Sequence, residues 1–147
     1  MQSSTDEQEV IRLGQLEIRY LLDGCAAGSH SRLGSFELTV PPNANVPPPH
    51  SHADNDEFVY VLDGTLRYSV NETTRDLGPG DSMFTPRGAV HAFNNPHGKT
   101  ARALIMQTPD IGPQYFRDIK AVIDAGGPPD KVKLLEVMTR YGLTLSA

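Results

Sequence analysis

Four residues are spaced to do metal chemistry: His50, His52, Glu57 and His91. The first three lie in "PPPHSHADNDEF" (47–58) and the fourth follows the turn "TPRGAV" (85–90). In a strand, residues i and i+2 share a face, so His50 and His52 project the same way once Pro49 feeds into a strand. Glu57 can join them only if the chain bends at "ADND", where Asp and Asn favour a turn. Asp56 is the rival carboxylate, but strand parity turns it away when Glu57 points in. Imidazole nitrogens and one carboxylate oxygen suit a divalent first-row metal. Four such ligands on an octahedral ion leave two positions for water, dioxygen or a bidentate substrate. Taken alone, His-x-His near a carboxylate is a weak signal, because surface histidines are common.

Short strands must position these groups. "QLEIRYLLD" (15–23) and "SFELTV" (35–40) alternate apolar and polar residues, whereas "EFVYVLDG" (57–64) is apolar on both parities, as in a strand covered on both faces. "TLRYSV" (65–70), "DSMFTP" (81–86), "VHAFN" (90–94) and "ARALIMQT" (101–108) follow, divided by Asp63-Gly64, Gly78-Pro79-Gly80, Arg87-Gly88 and Asn95-Pro96. Many short strands with nothing helical between them predict an antiparallel sandwich or small barrel. The tail then changes period. Residues 112–127 place Tyr115, Phe116, Ile119, Val122 and Ile123 at helical spacing. Residues 128–142 do the same with Val132, Leu135, Val137, Met138 and Tyr141, ending at Gly142. Two amphipathic helices are expected, packed outside the barrel or on a partner subunit. The fold class is therefore all-β with two C-terminal α-helices. The 147 residues are expected to be one domain, with 1–9 disordered, 10–110 forming the barrel and 112–142 the helices.

Composition narrows the function. The net charge of −5 and the lack of a basic patch disfavour nonspecific nucleic-acid binding, and no nucleic-acid partner is expected. The N-terminal stretch "MQSSTDEQEV" has no signal-peptide apolar core, and no apolar run nears the ~18 residues of a membrane span, so no membrane partner and a cytoplasmic location are expected. Cys25 is the one cysteine, which forbids an intrachain disulfide and reads as a small buried hydrophobe. His30 and His97 fall in polar loop-like stretches and are expected to be exposed.

The wider spacing runs His50-x-His52-x4-Glu57-x6-Gly64, then fifteen residues, then Gly80-x5-Pro86-x-Gly88-x2-His91-x3-Asn95. Both halves resemble the two motifs of the cupin superfamily, and the second matches at every fixed position. The resemblance covers about residues 35–108. It implies a double-stranded antiparallel β-helix, a jelly-roll barrel, with one divalent transition metal (Fe, Mn, Ni, Zn, Co or Cu) held by His50, His52, Glu57 and His91. It makes Gly64, Gly80, Pro86, Gly88 and Asn95 structural, and it implies a homodimer. The pattern departs at Ala44, where the family has glycine; Asn45 is expected to take the left-handed turn position instead.

Parity extends the site. With Glu57 inward, Val59 and Val61 are inward and Phe58, Tyr60 and Leu62 outward, in need of cover from the helices or a partner. Phe93 follows His91 inward, and Phe36, Leu38 and Val40 form another inward row. Phe36, Leu38, Val59 and Phe93 are thus candidate substrate contacts in a mostly apolar cavity, suited to a small aromatic or apolar ligand bearing a chelating oxygen. No phosphate cradle is evident; Arg32, Arg67, Arg87 and Arg102 offer at most a rim charge. The leading expectation is a metal-dependent dioxygenase similar to quercetinase or diketone dioxygenase, with Glu57 as catalytic base. A non-oxidative isomerase, cyclase or lyase, and a small-molecule-binding module without catalysis, are the alternatives.

Overall fold

A computed structural model describes residues 8–26 and 32–146. The strands are β1 (Val10–Leu13), β2 (Leu16–Leu22), β3 (Gly34–Val40), β4 (His50–His52), β5 (Asp56–Asp63), β6 (Leu66–Val70), β7 (Thr73–Leu77), β8 (Ser82–Thr85), β9 (His91–Asn94) and β10 (Ala101–Thr108). Helices α1 (Pro113–Ile123) and α2 (Lys131–Arg140) follow, and the chain returns as β11 (Leu143–Leu145). One sheet runs β1-β2-β3-β10-β5-β8 and the other β11-β4-β9-β6-β7. All the pairings are antiparallel, and the two sheets form the expected jelly-roll barrel.

The period-2 pattern builds the interior. Leu16, Ile18 and Tyr20 of β2, Phe36, Leu38 and Val40 of β3, Val59 and Val61 of β5, Leu66 and Tyr68 of β6, and Ala103 and Ile105 of β10 are all buried in one cluster. Gly64 has φ +70° in the turn from β5 to β6, and a Cβ there would lie 2.4 Å from the Thr100 carbonyl oxygen. Glycine is therefore required twice over, by conformation and by space. Asn95 is equally structural: its Nδ2 donates to the carbonyls of Val40 (2.9 Å) and Lys99 (2.8 Å), and its own carbonyl accepts from Asn43 N (2.7 Å).

Several expectations are corrected. The left-handed residue beside Ala44 is Asn43 (φ 56°), not Asn45. Glu9 is not disordered: its carbonyl accepts from Tyr20 N at 2.9 Å and its carboxylate pairs with Arg117. Residues 1–7 of the expected disordered start lie outside the described residues, as does His30. Two strands escaped the pattern. β7 reads "TTRDL" with its first four residues exposed, so no alternation marks it. β11 is three residues long and completes its sheet by pairing with β4.

The helices pack on the outside of the barrel, over its end and not along its flank. α1 closes its open end: Phe116 packs edge-on to Phe36 (centroids 5.1 Å) and against Tyr20 (6.1 Å). α2 packs on α1 and β11, burying Val137 and Met138, while Val132 and Leu135, expected on its buried face, are exposed. In the outward row Tyr60 is 39 % exposed, and Phe84 of the neighbouring strand β8, in register with Phe58, is 53 % exposed. No helix among the described residues is long and apolar enough to cross a membrane.

Asp110 fixes the entry to α1. Its Oδ1 accepts from the Tyr20 hydroxyl (2.9 Å) and Gly112 N (3.1 Å), and its Oδ2 from Gly24 N (2.9 Å). Asp110→Ala strands three donors that include the first turn of the helix. The expected loss is about 3 kcal/mol, or roughly 8 °C in Tm for a chain of this size. Calorimetry checks it, and a loss below about 1 kcal/mol would show that the three bonds are replaced by water.

Candidate metal centre

The site is assembled from both sheets. β4 and β9 are neighbours, and His50 pairs in register with His91. His52 stands one strand period from His50. The ring centroids of His50 and His91 are 4.5 Å apart, of His52 and His91 5.0 Å, and of His50 and His52 5.1 Å. One nitrogen from each ring lies within 4.8 Å of the other two. All three side chains are buried.

Local sequence explains the aim of each ring. The Pro47–Pro49 run stiffens the approach to β4, and the Pro48 carbonyl also acts directly: it accepts from His50 Nδ1 at 2.8 Å. That bond places the proton on Nδ1 and leaves Nε2 with a free lone pair. The loop before His91 is anchored by Gly88, whose amide donates to the His52 carbonyl at 2.8 Å with φ +87°. The two ligand strands are thus tied together by backbone as well as by side chains.

Glu57 is buried beside this cluster, on β5. Its Oε2 lies 3.2 Å from His91 Nε2 and accepts from the Tyr68 hydroxyl at 2.8 Å; its Oε1 accepts from Gln107 Nε2 at 2.8 Å. The bend at Ala53–Asn55 delivers it, as the sequence predicts. Asp56 faces away and pairs with Arg87 at 3.1 Å.

Electrostatics follow from burial and these contacts. Burial, then the neighbouring imidazole of His91, lowers the pKa of His50, and burial takes His52 down to about 4. Both rings are neutral at pH 7, the form a metal ligand needs. Burial pulls His91 down too, but the hydrogen bond and charge of Glu57 outweigh it and its pKa is raised. Burial would raise Glu57, yet the bond and charge of His91, with help from His52 and Gln107, hold it well below the usual carboxylate range. His52 Nδ1 and His91 Nδ1 are buried without a hydrogen-bond partner among the described residues. Three buried imidazoles, two with an orphaned nitrogen, cost stability. They fit a borderline divalent ion in both donor type and spacing.

The cavity above the cluster is about 70 Å³ in volume. Phe36, Leu38 and Phe93 line it as expected. Val59 does not: it is fully buried in the packed core beneath. The contacts that sequence reasoning missed are Tyr68, Gln107, Tyr115 and Phe116. Tyr68 and Gln107 had a signal, since each is a polar group on the inward parity of an otherwise apolar strand. Tyr115 and Phe116 had none, because helical periodicity marks a buried face without saying what it is buried against. Among the described residues no Lys or Arg lines the cavity; Arg67, Arg87 and Arg102 are paired elsewhere with Asp76, Asp56 and Glu37. His97 is half-buried against Asp76 (3.2 Å) and away from the cavity, and Cys25 is exposed rather than buried.

The Cupin_2 family model, described as "Cupin domain", matches residues 36–106. Germin-like protein 9-3 of Oryza sativa subsp. japonica is 33% identical over 75 residues, 48% of this chain and 35% of that protein. The match therefore spans about a third of the length of that relative. Among solved structures, the polyketide cyclase RemF from Streptomyces resistomycificus superposes with a TM-score of 0.61 at 26% identity, over 75% of this chain and 81% of that one. A sugar phosphate isomerase of the cupin superfamily from Silicibacter pomeroyi gives 0.58 at 25%, over 74% and 75%.

The lowered pKa of His52 makes the metal-free protein acid-sensitive. Its folded value of about 4 lies below the ordinary 6.5, so the unfolded chain binds more protons between these values and stability is lost as pH falls from 6.5 to 4. His91 acts with the opposite sign, its contribution being present below 6.5 and lost as pH rises through its raised value. His52→Leu removes the first effect and leaves that of His91 in place. The expected result is a shallower fall in Tm between pH 6.5 and 4 than in the wild type; parallel curves would refute the assignment.

Proposed function

Taking as premise that this chain belongs to the cupin superfamily, we propose that it is a metal-dependent dioxygenase acting on a small enolic or aromatic substrate. The observation that carries the reading is the join of two unlike halves in one cavity. Three buried imidazoles and one ionised carboxylate form its floor, and an apolar, largely aromatic wall surrounds them, with no lysine or arginine among its described residues. His50, His52 and His91 would hold the metal, with Glu57 as the fourth ligand. When bound, the metal supplies Lewis-acid charge that lowers the pKa of an enol or hydroxyketone and, for a redox-active ion, an electron path to dioxygen.

The chain's own residues do the rest. Phe36, Phe93 and Phe116 offer aromatic faces to a flat ligand, and Leu38 and Ile105 fill the space between them. Among the described residues Glu57 is the one carboxylate lining the cavity, and its Oε2 is the atom that takes a proton from a substrate hydroxyl or an acidic C–H. Tyr68 and Gln107 hold that carboxylate in one orientation from two sides. They also stabilise its anion, which keeps Glu57 a weak base until a donor is withdrawn. Helix α1 shuts water out with Tyr115 and Phe116.

The likeness to RemF favours a second reading, a non-oxidative cyclase on the same apolar floor plan. Oxygen separates the two. Protein purified without a chelator or a histidine tag should carry about one transition-metal ion per chain, and His91→Ala should lose it on elemental analysis. Assayed on a flavonol and a β-diketone, turnover should stop under anaerobic conditions. Metal retained at full stoichiometry in His91→Ala would remove the site, and oxygen-independent turnover would overturn the dioxygenase reading in favour of the cyclase.

A further inference from the structure

Gln107 is among the largest side chains that are fully buried, and both ends of its amide are used. Oε1 accepts from Ile111 N at 3.2 Å and Nε2 donates to Glu57 Oε1 at 2.8 Å. The orientation is forced: a backbone N–H can only donate, so the carbonyl faces Ile111 and the NH2 faces the carboxylate. Gln107 pairs with Glu57 in register across β10 and β5. Ile111 is buried in the short link between β10 and α1, one residue before the Gly112 at the helix N-cap. One side chain thus spans from the carboxylate of the metal centre to the hinge of the helix that closes the cavity.

Closure matters here because the space is small. A cavity of about 70 Å³ has room for only a handful of waters, so a substrate of aromatic size enters by displacing part of the wall. α1 is the wall element with a glycine at its N-terminal junction (Gly112, φ +87°) and the Gly126–Gly127 pair beyond its C-terminus. If the helix swings out, the Ile111 amide is carried with it and Gln107 loses its acceptor role. The carboxylate then loses its fixed partner on Oε1, while Tyr68 and His91 still hold Oε2.

We propose that Gln107 is a positioning residue that couples the orientation of Glu57 to the seating of helix α1 over the cavity. The inference rests on Glu57 as the functional carboxylate of the proposed site. An ion that fixes Glu57 tightens Gln107 and through it Ile111, so metal binding and helix closure favour one another.

Cobalt(II) is the probe, read by its visible spectrum at the site and by amide hydrogen exchange at the helix. In the wild type, Co2+ should slow exchange at Ile111 and along Tyr115–Ile119 by about tenfold. In Gln107→Leu, Co2+ should still bind through the histidines with a shifted visible spectrum, and the slowing at α1 should vanish. Gln107→Glu keeps an acceptor for Ile111 but sets a carboxylate against Glu57; it should restore the basal exchange of α1 without restoring the response to Co2+. That variant carries the test alone should Gln107→Leu not fold. Equal slowing of α1 in the wild type and the Gln107 variants overturns the coupling while leaving the metal site intact. Failure of the wild type to bind Co2+ overturns the metal reading instead, and the coupling is then read from Glu57→Gln. This change should speed α1 exchange in the wild type and add nothing in Gln107→Leu; equal effects in both backgrounds overturn it.

Discussion

A carboxylate buried inside an apolar barrel is the constraint on which the rest of this structure depends. Taking Glu57 out of water costs several kcal/mol unless its charge is paired and its lone pairs are filled. The compensation comes from His91 at 3.2 Å, Tyr68 at 2.8 Å and Gln107 at 2.8 Å. These donors sit on β9, β6 and β10. Two of those strands belong to the five-stranded sheet and one to the six-stranded sheet that also carries Glu57. The charge is therefore tolerable only after the sheets have closed face to face. Stacking of the barrel and formation of the site are the same event, which explains why an ionised group can stand in the middle of the core cluster.

The histidine cluster is protected by the same economy of topology. β4 has only three residues and would be a frail edge by itself. β9 pairs with one side of it through His50 and His91, and β11 covers the other from Leu143 to Leu145. The C-terminal segment thus holds a ligand strand in place, and α2 is the connection that brings the chain back to it. α1 meanwhile supplies Tyr115 and Phe116 to the cavity. Both helices serve the mouth of the barrel, and neither shields the apolar stripe of Tyr60 and Phe84 on its outer face.

Much of this was legible from residue order, because strands repeat every two residues. His50 and His52 on one face, Asp56 turned away from Glu57, and Phe36, Leu38 and Phe93 inward all follow from parity and hold in three dimensions. Parity says less about depth: Val59 is inward but lies below the cavity floor. Elements without alternation left no trace, as with the exposed "TTRD" of β7. Amphipathic spacing identified both helices but not their surface of contact, since a buried stripe packs as well into a barrel mouth as onto its flank. Gln107 shows a subtler limit. A glutamine on the parity of Ala103 and Ile105 is a visible anomaly, yet its two partners, Glu57 and Ile111, are fixed only by register and by the turn after β10.

The electrostatic character of the cavity constrains what can enter it under the proposed function. Burial lowers the pKa of His50 and His52, the bond and charge of Glu57 raise that of His91, the Glu57 carboxylate is ionised, and among the described residues no lysine or arginine lines the cavity. An anionic ligand would meet the Glu57 carboxylate at close range in a medium that screens it poorly, and the charge to offset that repulsion would come from the bound metal and not from a lysine or arginine. A neutral ligand pays no such penalty and gains the apolar contacts of Phe36, Phe93 and Phe116 on entry. Its acidic proton would then be lost inside the cavity, to Glu57, rather than in water beforehand.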